Sequence, residues 1–138
     1  MDFVAKDLIQ DIPKKSAFEV ENNMINIISS SRYKVNRVVI RDCAKKILEK
    51  NNIDDHEIVN LVFMGKNKMK TISAKYKKED VALPVLTFIY KNKSPHESVF
   101  GEVLLCYPQI VLLAAERNKR VDDMILQMVE HGISNLLK

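Results

Sequence analysis

The sequence has little glycine or proline and contains no tryptophan. Its 138 residues include 3 Gly, 4 Pro and 2 Cys, and so few glycines and prolines argue against a loop-rich or disordered chain. The two cysteines, Cys43 and Cys106, lie far apart and form no CxxC pair. They provide no disulfide framework, which indicates a reducing compartment in which both thiols stay free and buried.

Long apolar runs are also lacking. The longest, residues 110–115, is far too short to cross a bilayer. The N-terminus carries Asp2 and Asp7 where a secretory signal needs cations followed by an apolar segment. We therefore expect a soluble, cytoplasmic protein with no membrane partner.

The apolar pattern predicts one α+β domain. A hydrophobic fraction of 46% and a charged fraction of 29% are ordinary for a folded protein, and the length suits a single core. Residues 1–23 are predicted to be an N-terminal appendage with a short amphipathic helix that Pro13 stops. Residues 24–138 are predicted to form the domain, a four-stranded sheet packed with four to five helices, the C-terminal helix lying in the core.

Element boundaries follow from periodicity and turn residues. The order is β-α-β-α-β-β-α-α after the appendage. The predicted strands cover residues 24–28, 58–64, 84–90 and 100–106. The predicted helices cover residues 36–50, 66–75 and 108–118, and a last helix opens at Asp122 or Asp123. Tyr76 is predicted to face inward beside Met69 and Ile72.

Positive charge is unevenly distributed along the chain. The net charge is +4 and the pI is near 9.0. Clustered cations raise affinity for phosphates through counterion release, although a solvated helix face is the alternative, and charge alone leaves both open. The cations concerned are Lys66, Lys68, Lys70, Lys75, Lys77 and Lys78, then Lys91 and Lys93, then Arg117, Lys119 and Arg120.

The last predicted helix places His131 and Asn135 four residues apart. Side chains at this spacing have Cβ atoms roughly 5–6 Å apart, a suitable span for two ligands on one metal. The surrounding segment, Glu-His-Gly-Ile-Ser-Asn-Leu-Leu at residues 130–137, resembles the HGxxHLxG motif of the YbeY family of rRNA-maturation endoribonucleases. The resemblance implies a helix that supplies two histidines, a third histidine shortly after it, and a zinc ion held by all three.

Two further segments carry the resemblance, which extends from about Met24 to the C-terminus. Residues 75–80 followed by residues 84–88 resemble the family's YRGKD…TDVLSF segment, and residues 101–108 resemble its GDIVI strand. The resemblance implies Lys77 and Glu102 as catalytic positions and His131 as the remnant of the metal site. It also implies RNA contacts, which we assign to Lys66, Lys75, Lys77, Lys78 and Arg117.

The departures from the family pattern concern its chemistry. Asn135 occupies the second histidine position, and the sequence stops at Lys138 without a third histidine. Lys77 is found in place of the arginine of YRG, and Leu83-Pro84 is found in place of the TD pair. Glu102 is found in place of the aspartate that follows the glycine of GDIVI. Lysine keeps the positive charge but loses the bidentate fork of arginine.

The metal site is therefore predicted to be broken, with no zinc bound. Zinc favours imidazole and thiolate, whereas a neutral amide is a poor ligand, and one histidine cannot hold catalytic zinc. Residues that could complete the site are His56, His96, Cys106 and Glu102, but no spacing requires any of them. A missing C-terminal segment would explain the absent third histidine but not Asn135.

Three functional hypotheses remain. The first is a metal-dependent hydrolase of ribosomal RNA whose remaining ligands are not evident. The second is a non-catalytic protein that binds ribosomal RNA or a ribosomal protein. The third is an interaction module that uses the appendage and does not involve RNA. The resemblance implies ribosomal RNA or the ribosome as partner and no DNA, and the altered ligands favour the second hypothesis.

Overall fold

The computed structural model describes residues 25–53, 57–90 and 99–138. The predicted appendage, the connection at residues 91–98, His56 and His96 lie outside the described residues. The elements, in chain order, are β1 (Ile25–Ile28), α1 (Arg37–Lys50), β2 (Ile58–Met64), α2 (Lys66–Tyr76), β3 (Val85–Ile89), β4 (Val99–Cys106), α3 (Tyr107–Glu116) and α4 (Val121–Leu136).

The four strands form one mixed sheet in the order β1-β2-β4-β3. Strands β1, β2 and β4 are parallel, and β3 runs antiparallel to β4 at the edge. The predicted α+β class and element order are confirmed. The apolar runs of β2 and β4 explain their central places, because a parallel strand covered on both faces needs few polar residues.

Local signals fix the first helix. The side chain of Asn36 accepts a hydrogen bond of 3.2 Å from the backbone N–H of Val39, which caps the N-terminus of α1. The helix ends at Lys50 with Asn51 as its C-cap residue, and Asn52 then adopts a positive φ of 60°. Arg37 donates to the backbone carbonyls of Ile27 and Ser29, so the start of α1 is tied to the end of β1.

The sheet is covered on both faces. Helices α1, α3 and α4 cover one face, where Leu61 and Val103 are fully buried. Helix α2 covers the other face through Met69 and Ile72, which pack on Val62 and Leu104. Among the described residues, no helix is long and apolar enough to cross a membrane.

Close contact with the sheet places α4 in the core, as predicted. Gly132 lies on the helix surface that faces the sheet, where an added Cβ would stand 2.4 Å from Cγ1 of Val103. Only glycine permits this approach without displacing Val103. His131 is exposed and directly precedes Gly132. The close approach of Gly132 to Val103 therefore fixes the position of His131 relative to the sheet.

The prediction that Tyr76 faces inward is wrong. Its side chain is 45% exposed at the end of α2, and its ring packs edge-on against Phe88 at a centroid distance of 5.2 Å. Met69 and Ile72 are buried, as predicted. Residue 76 keeps the spacing of the buried face, seven positions after Met69, but it is the last residue of α2 and its ring packs on the edge strand β3, so it stays half-exposed.

Candidate functional site

A cleft of about 590 Å³ lies beside the exposed His131. Its walls come from the start of β3, the end of α3 and one side of α4. Gln109 donates a 2.8 Å hydrogen bond to the carbonyl of Ala82, which fixes the segment before β3 against α3. The cleft is lined by Pro84, Val85, Leu113, Arg117, Gln127, Met128, Glu130, His131 and Ser134.

His131 and Asn135 contact each other directly. The side-chain nitrogen of Asn135 lies 3.3 Å from Nε2 of His131. Because an amide nitrogen only donates, Nε2 is the acceptor in this hydrogen bond and the proton of a neutral ring is on Nδ1. The amide therefore occupies one of the two ring nitrogens that could bind a metal.

Among the described residues, the donor atoms around His131 do not fit a zinc ion. No group of three or more His, Cys, Asp or Glu side chains suited to a metal occurs within the described ranges. Cys106 is fully buried at the end of β4, and burial raises the pKa of its thiol, which opposes formation of the thiolate that zinc requires. A single imidazole beside an amide is a poor zinc site.

Of the residues predicted to bind RNA, Arg117 lies in the same cleft as His131. It is the C-cap residue of α3 and is exposed, and both side chains line the same cleft. Its guanidinium offers five N–H donors in a planar fork that suits a phosphate group. Glu130 is an anion on the same wall, so the cleft carries one cation and one anion beside the imidazole.

The structure places Glu102 away from this cleft. Glu102 is fully buried in β4 on the sheet face that α2 covers, whereas α4 packs on the opposite face. Its carboxylate accepts hydrogen bonds of 2.5 Å from the Tyr90 hydroxyl and 3.1 Å from the Asn60 side-chain amide. Both partners lie on the α2 side of the sheet, and these contacts hold a buried carboxylate in place.

The predicted lysines occupy the two ends of α2. Lys66 is the first residue of the helix, whereas Lys75 lies in its last turn and Lys77 and Lys78 follow it. Eleven helical residues span about 16 Å, so Lys66 does not share a site with the other three. All four side chains are exposed, and the Lys75 ammonium lies 5.2 Å from the Tyr76 ring centroid. None of them is among the described residues that line the cleft at His131.

Sequence reasoning missed the partners of Glu102. Asn60 lies 42 residues before it and Tyr90 lies 12 residues before it. One signal was available, namely an isolated polar residue at position 60 within an otherwise apolar strand. A buried amide in such a strand predicts a polar partner on the neighbouring strand.

Comparison with known proteins identifies relatives across most of the chain. A family profile described as Endoribonuclease YbeY matches residues 19–137. Endoribonuclease YbeY of Dehalococcoides mccartyi strain 195 is 26% identical over 129 residues, which cover 82% of this chain and 75% of that protein. Endoribonuclease YbeY of Janthinobacterium sp. strain Marseille is 31% identical over 75 residues, which cover 54% of this chain.

The match to several curated relatives covers only part of their length. The match spans about half the length of these relatives, 49% for the Janthinobacterium protein and 48% for Endoribonuclease YbeY of Neorickettsia sennetsu. Among solved structures, the solution structure of a Thermotoga maritima protein aligns with a TM-score of 0.52 at 25% identity. That alignment covers 73% of this chain and 63% of the other.

Proposed function

The chain belongs to the YbeY family, and on this basis we propose that it binds ribosomal RNA during ribosome maturation with its zinc-dependent hydrolysis impaired or lost. The observation that carries the proposal is the contact between His131 and Asn135. An asparagine amide stands where the family motif has its second histidine, 3.3 Å from the imidazole nitrogen. Water activation by zinc needs a ligand set that fixes the ion, and an imidazole–amide pair is a poor one.

The RNA part of the proposal rests on charge and position. Arg117 lines the cleft beside His131 and supplies the planar fork that suits phosphate. Lys75, Lys77 and Lys78 form a second group of cations at the end of α2. The net charge of +4 favours a polyanionic partner. We place this activity in the cytoplasm and expect RNA rather than DNA as the partner.

A retained endoribonuclease activity is the alternative. It is favoured by the description of the matching family and by the presence of His131 at the cleft. Zinc ligands beyond His131 would then come from outside the described residues, where His56 and His96 lie. Binding of a ribosomal protein instead of RNA is a further alternative, and it predicts that RNA affinity is absent.

Metal content and RNA cleavage distinguish these readings. The purified full chain is analysed for zinc by mass spectrometry and incubated with ribosomal RNA fragments, with and without added zinc. We expect well under one zinc per chain and no cleavage. One zinc per chain, together with cleavage that His131→Ala abolishes, would overturn the loss of catalysis.

RNA binding is measured separately by fluorescence anisotropy at several salt concentrations. We expect Arg117→Ala and the pair Lys75→Ala/Lys77→Ala each to weaken binding several-fold and to flatten its salt dependence. The matched control for the lysine pair is Lys46→Ala/Lys50→Ala, two exposed cations of α1 whose removal changes the net charge by the same amount, and Lys46→Ala alone is the control for Arg117→Ala. Equal losses in control and test variants, or no RNA binding by the unmodified chain, would contradict the proposal.

A further inference from the structure

A second cleft, of about 650 Å³, opens at the carboxyl end of β2. Its volume is within the range of roughly 300–1,000 Å³ typical of ligand sites. It shares no lining residue with the cleft at His131. The cleft is lined by Ser30, Arg32, Tyr33, Val62, Phe63, Met64, Gly65, Lys66, Asn67, Lys68 and Pro108.

The topology of the sheet explains why a cleft forms here. Strands β2 and β4 are adjacent and parallel, and each leads directly into a helix. Helix α2 packs on one face of the sheet and α3 on the other. Where two neighbouring parallel strands send their connections to opposite faces, a crevice opens at their carboxyl ends, and ligands of open sheets bind in such crevices.

The lining of this cleft is cationic. Arg32, Lys66 and Lys68 contribute three positive charges, and no acidic residue is among the described residues that line it. Arg32 and Lys66 are exposed, and neither forms a salt bridge within the described part of the chain. The first turn of α2 also contains no acidic residue. A concave surface with charge of one sign concentrates anions of the other sign.

An anchored aromatic ring stands beside these cations. Tyr33 lines the cleft and stacks on Tyr107 at a centroid distance of 4.8 Å and an interplanar angle of 25°. Its hydroxyl lies so close to Gly65 that a Cβ there would be 2.9 Å from the oxygen. A ring held by a second ring and by a backbone contact is pre-organised, and aromatic rings next to cations bind single-stranded nucleic acid by stacking on bases.

We propose that this cleft binds single-stranded RNA, with Arg32 and Lys66 contacting two backbone phosphates and Tyr33 contacting a base. The inference rests on the proposed RNA-binding function and adds a second contact surface, at the carboxyl ends of β1, β2 and β4. An RNA strand that reaches both clefts passes the start of α3, since Pro108 lines this cleft and Leu113 and Arg117 line the one at His131.

The test measures the salt dependence of RNA binding by the full chain. The test variant is Arg32→Ala/Lys66→Ala, the control is Lys46→Ala/Lys50→Ala, and the ligand is a fluorescent single-stranded oligoribonucleotide. For single strands the slope of log K against log salt changes by roughly 0.7 for each phosphate contact. The test variant should therefore lower the slope by about 1.4 and weaken binding at least tenfold at low salt, while the control retains the unmodified slope.

A second measurement locates the ligand directly. Amide resonances of the isotope-labelled chain are followed during titration with the same RNA and, separately, with inorganic phosphate. Shifts at Gly65, Lys66 and Asn67 with RNA support the proposal. Shifts there with inorganic phosphate but none with RNA would replace RNA with a small phosphate ligand and overturn it.

The failure of this inference differs from that of the proposed function. If the unmodified chain binds RNA and the Arg32→Ala/Lys66→Ala variant behaves like the control, the second cleft is not a contact surface, and the proposed function stands. If the unmodified chain binds no RNA, both fail. Circular dichroism of each variant tests whether substitution of these exposed side chains leaves the fold intact.

Discussion

Asn135 lies one helical turn after His131 on α4, and its side-chain nitrogen is 3.3 Å from the imidazole Nε2. The pair has the spacing of two neighbouring metal ligands. One partner, however, is an amide that donates a hydrogen bond to the imidazole and is itself a poor ligand for zinc. Under the proposed function, the amide at residue 135 in place of an imidazole removes zinc-dependent hydrolysis, while RNA binding remains.

Replacing Asn135 with histidine should restore part of a zinc site. The Asn135→His variant places two imidazoles at helical spacing, which suits a shared ion. We expect zinc affinity to rise at least tenfold, which corresponds to about 1.4 kcal/mol, as measured by competition with a zinc-responsive dye. The matched control, His131→Ala in the same background, should lose the gain. Unchanged zinc affinity would show that residues 131 and 135 do not face a common point.

The hydrogen bond from Tyr90 to Glu102 should contribute measurably to stability. Tyr90→Phe removes a donor from a fully buried carboxylate that the Tyr90 hydroxyl approaches within 2.5 Å. A buried polar group left without its hydrogen-bond partner costs about 1–3 kcal/mol, so we expect a loss of about 2 kcal/mol in urea unfolding. Tyr76→Phe, at a half-exposed tyrosine, is the matched control and should change stability by less than about 0.5 kcal/mol. Equal effects of the two substitutions would refute the assignment.

Gly132→Ala should destabilise the chain although alanine is the better helix former. The added Cβ would stand 2.4 Å from Cγ1 of Val103, and overpacking of this kind costs about 1–3 kcal/mol against a helical gain of roughly 1 kcal/mol. A Val103→Ala background should reduce the cost of Gly132→Ala by more than half, because the clashing methyl groups are gone. Stabilisation by Gly132→Ala alone would mean that α4 is not this close to the sheet.

The thiol of Cys106 should be unreactive in the folded chain. Burial raises its pKa above the ordinary value of 9.0, and the thiolate is the reactive species. At pH 8 we expect iodoacetamide to modify Cys106 only in urea, as judged by peptide mass spectrometry. Rapid modification of the folded chain would contradict its burial.

The same raised pKa gives a sign for the pH dependence of stability. Above pH 9 the unfolded thiol loses its proton while the folded one retains it, so the unfolded state binds fewer protons and the free energy of unfolding falls as pH rises. The fall between pH 8 and pH 10 should be smaller in Cys106→Ala than in the unmodified chain. An equal or steeper fall would show that the thiol does not contribute.

Elements with strong local patterns could be predicted from the sequence. The apolar run of β2 predicts its bounds, Ile58–Met64, without error, and the described residues of β1, Ile25–Ile28, all lie within the predicted strand. Helix α3 begins at Tyr107 and has Pro108 in its first turn, as predicted, because proline is tolerated at an early helical position. The bounds of these elements depend on residues that are neighbours in the sequence, and the pattern of apolar and turn residues therefore predicts them.

Properties that depend on strand order could not be predicted in the same way. Glu102 looked available for chemistry, but its neighbours Asn60 and Tyr90 are set by the pairing of β4 with β2 and β3. The sequence does not predict that Arg32 and Lys66 line the same cleft. The parallel pairing of β1 with β2 brings the segments that follow the two strands to the same end of the sheet.

The polar side chains of Asn26, Asn60 and Glu102 stand directly opposite one another across β1, β2 and β4. Two residues further along each strand the same face is apolar, with Ile28, Val62 and Leu104. A shift of β4 by two residues would keep every side chain on its face, yet it would place the Glu102 carboxylate opposite Val62 and away from the Asn60 amide. Because burying a polar group without a hydrogen bond is costly, this row of polar residues across the three strands selects one alignment of the strands among those that the apolar pattern alone permits.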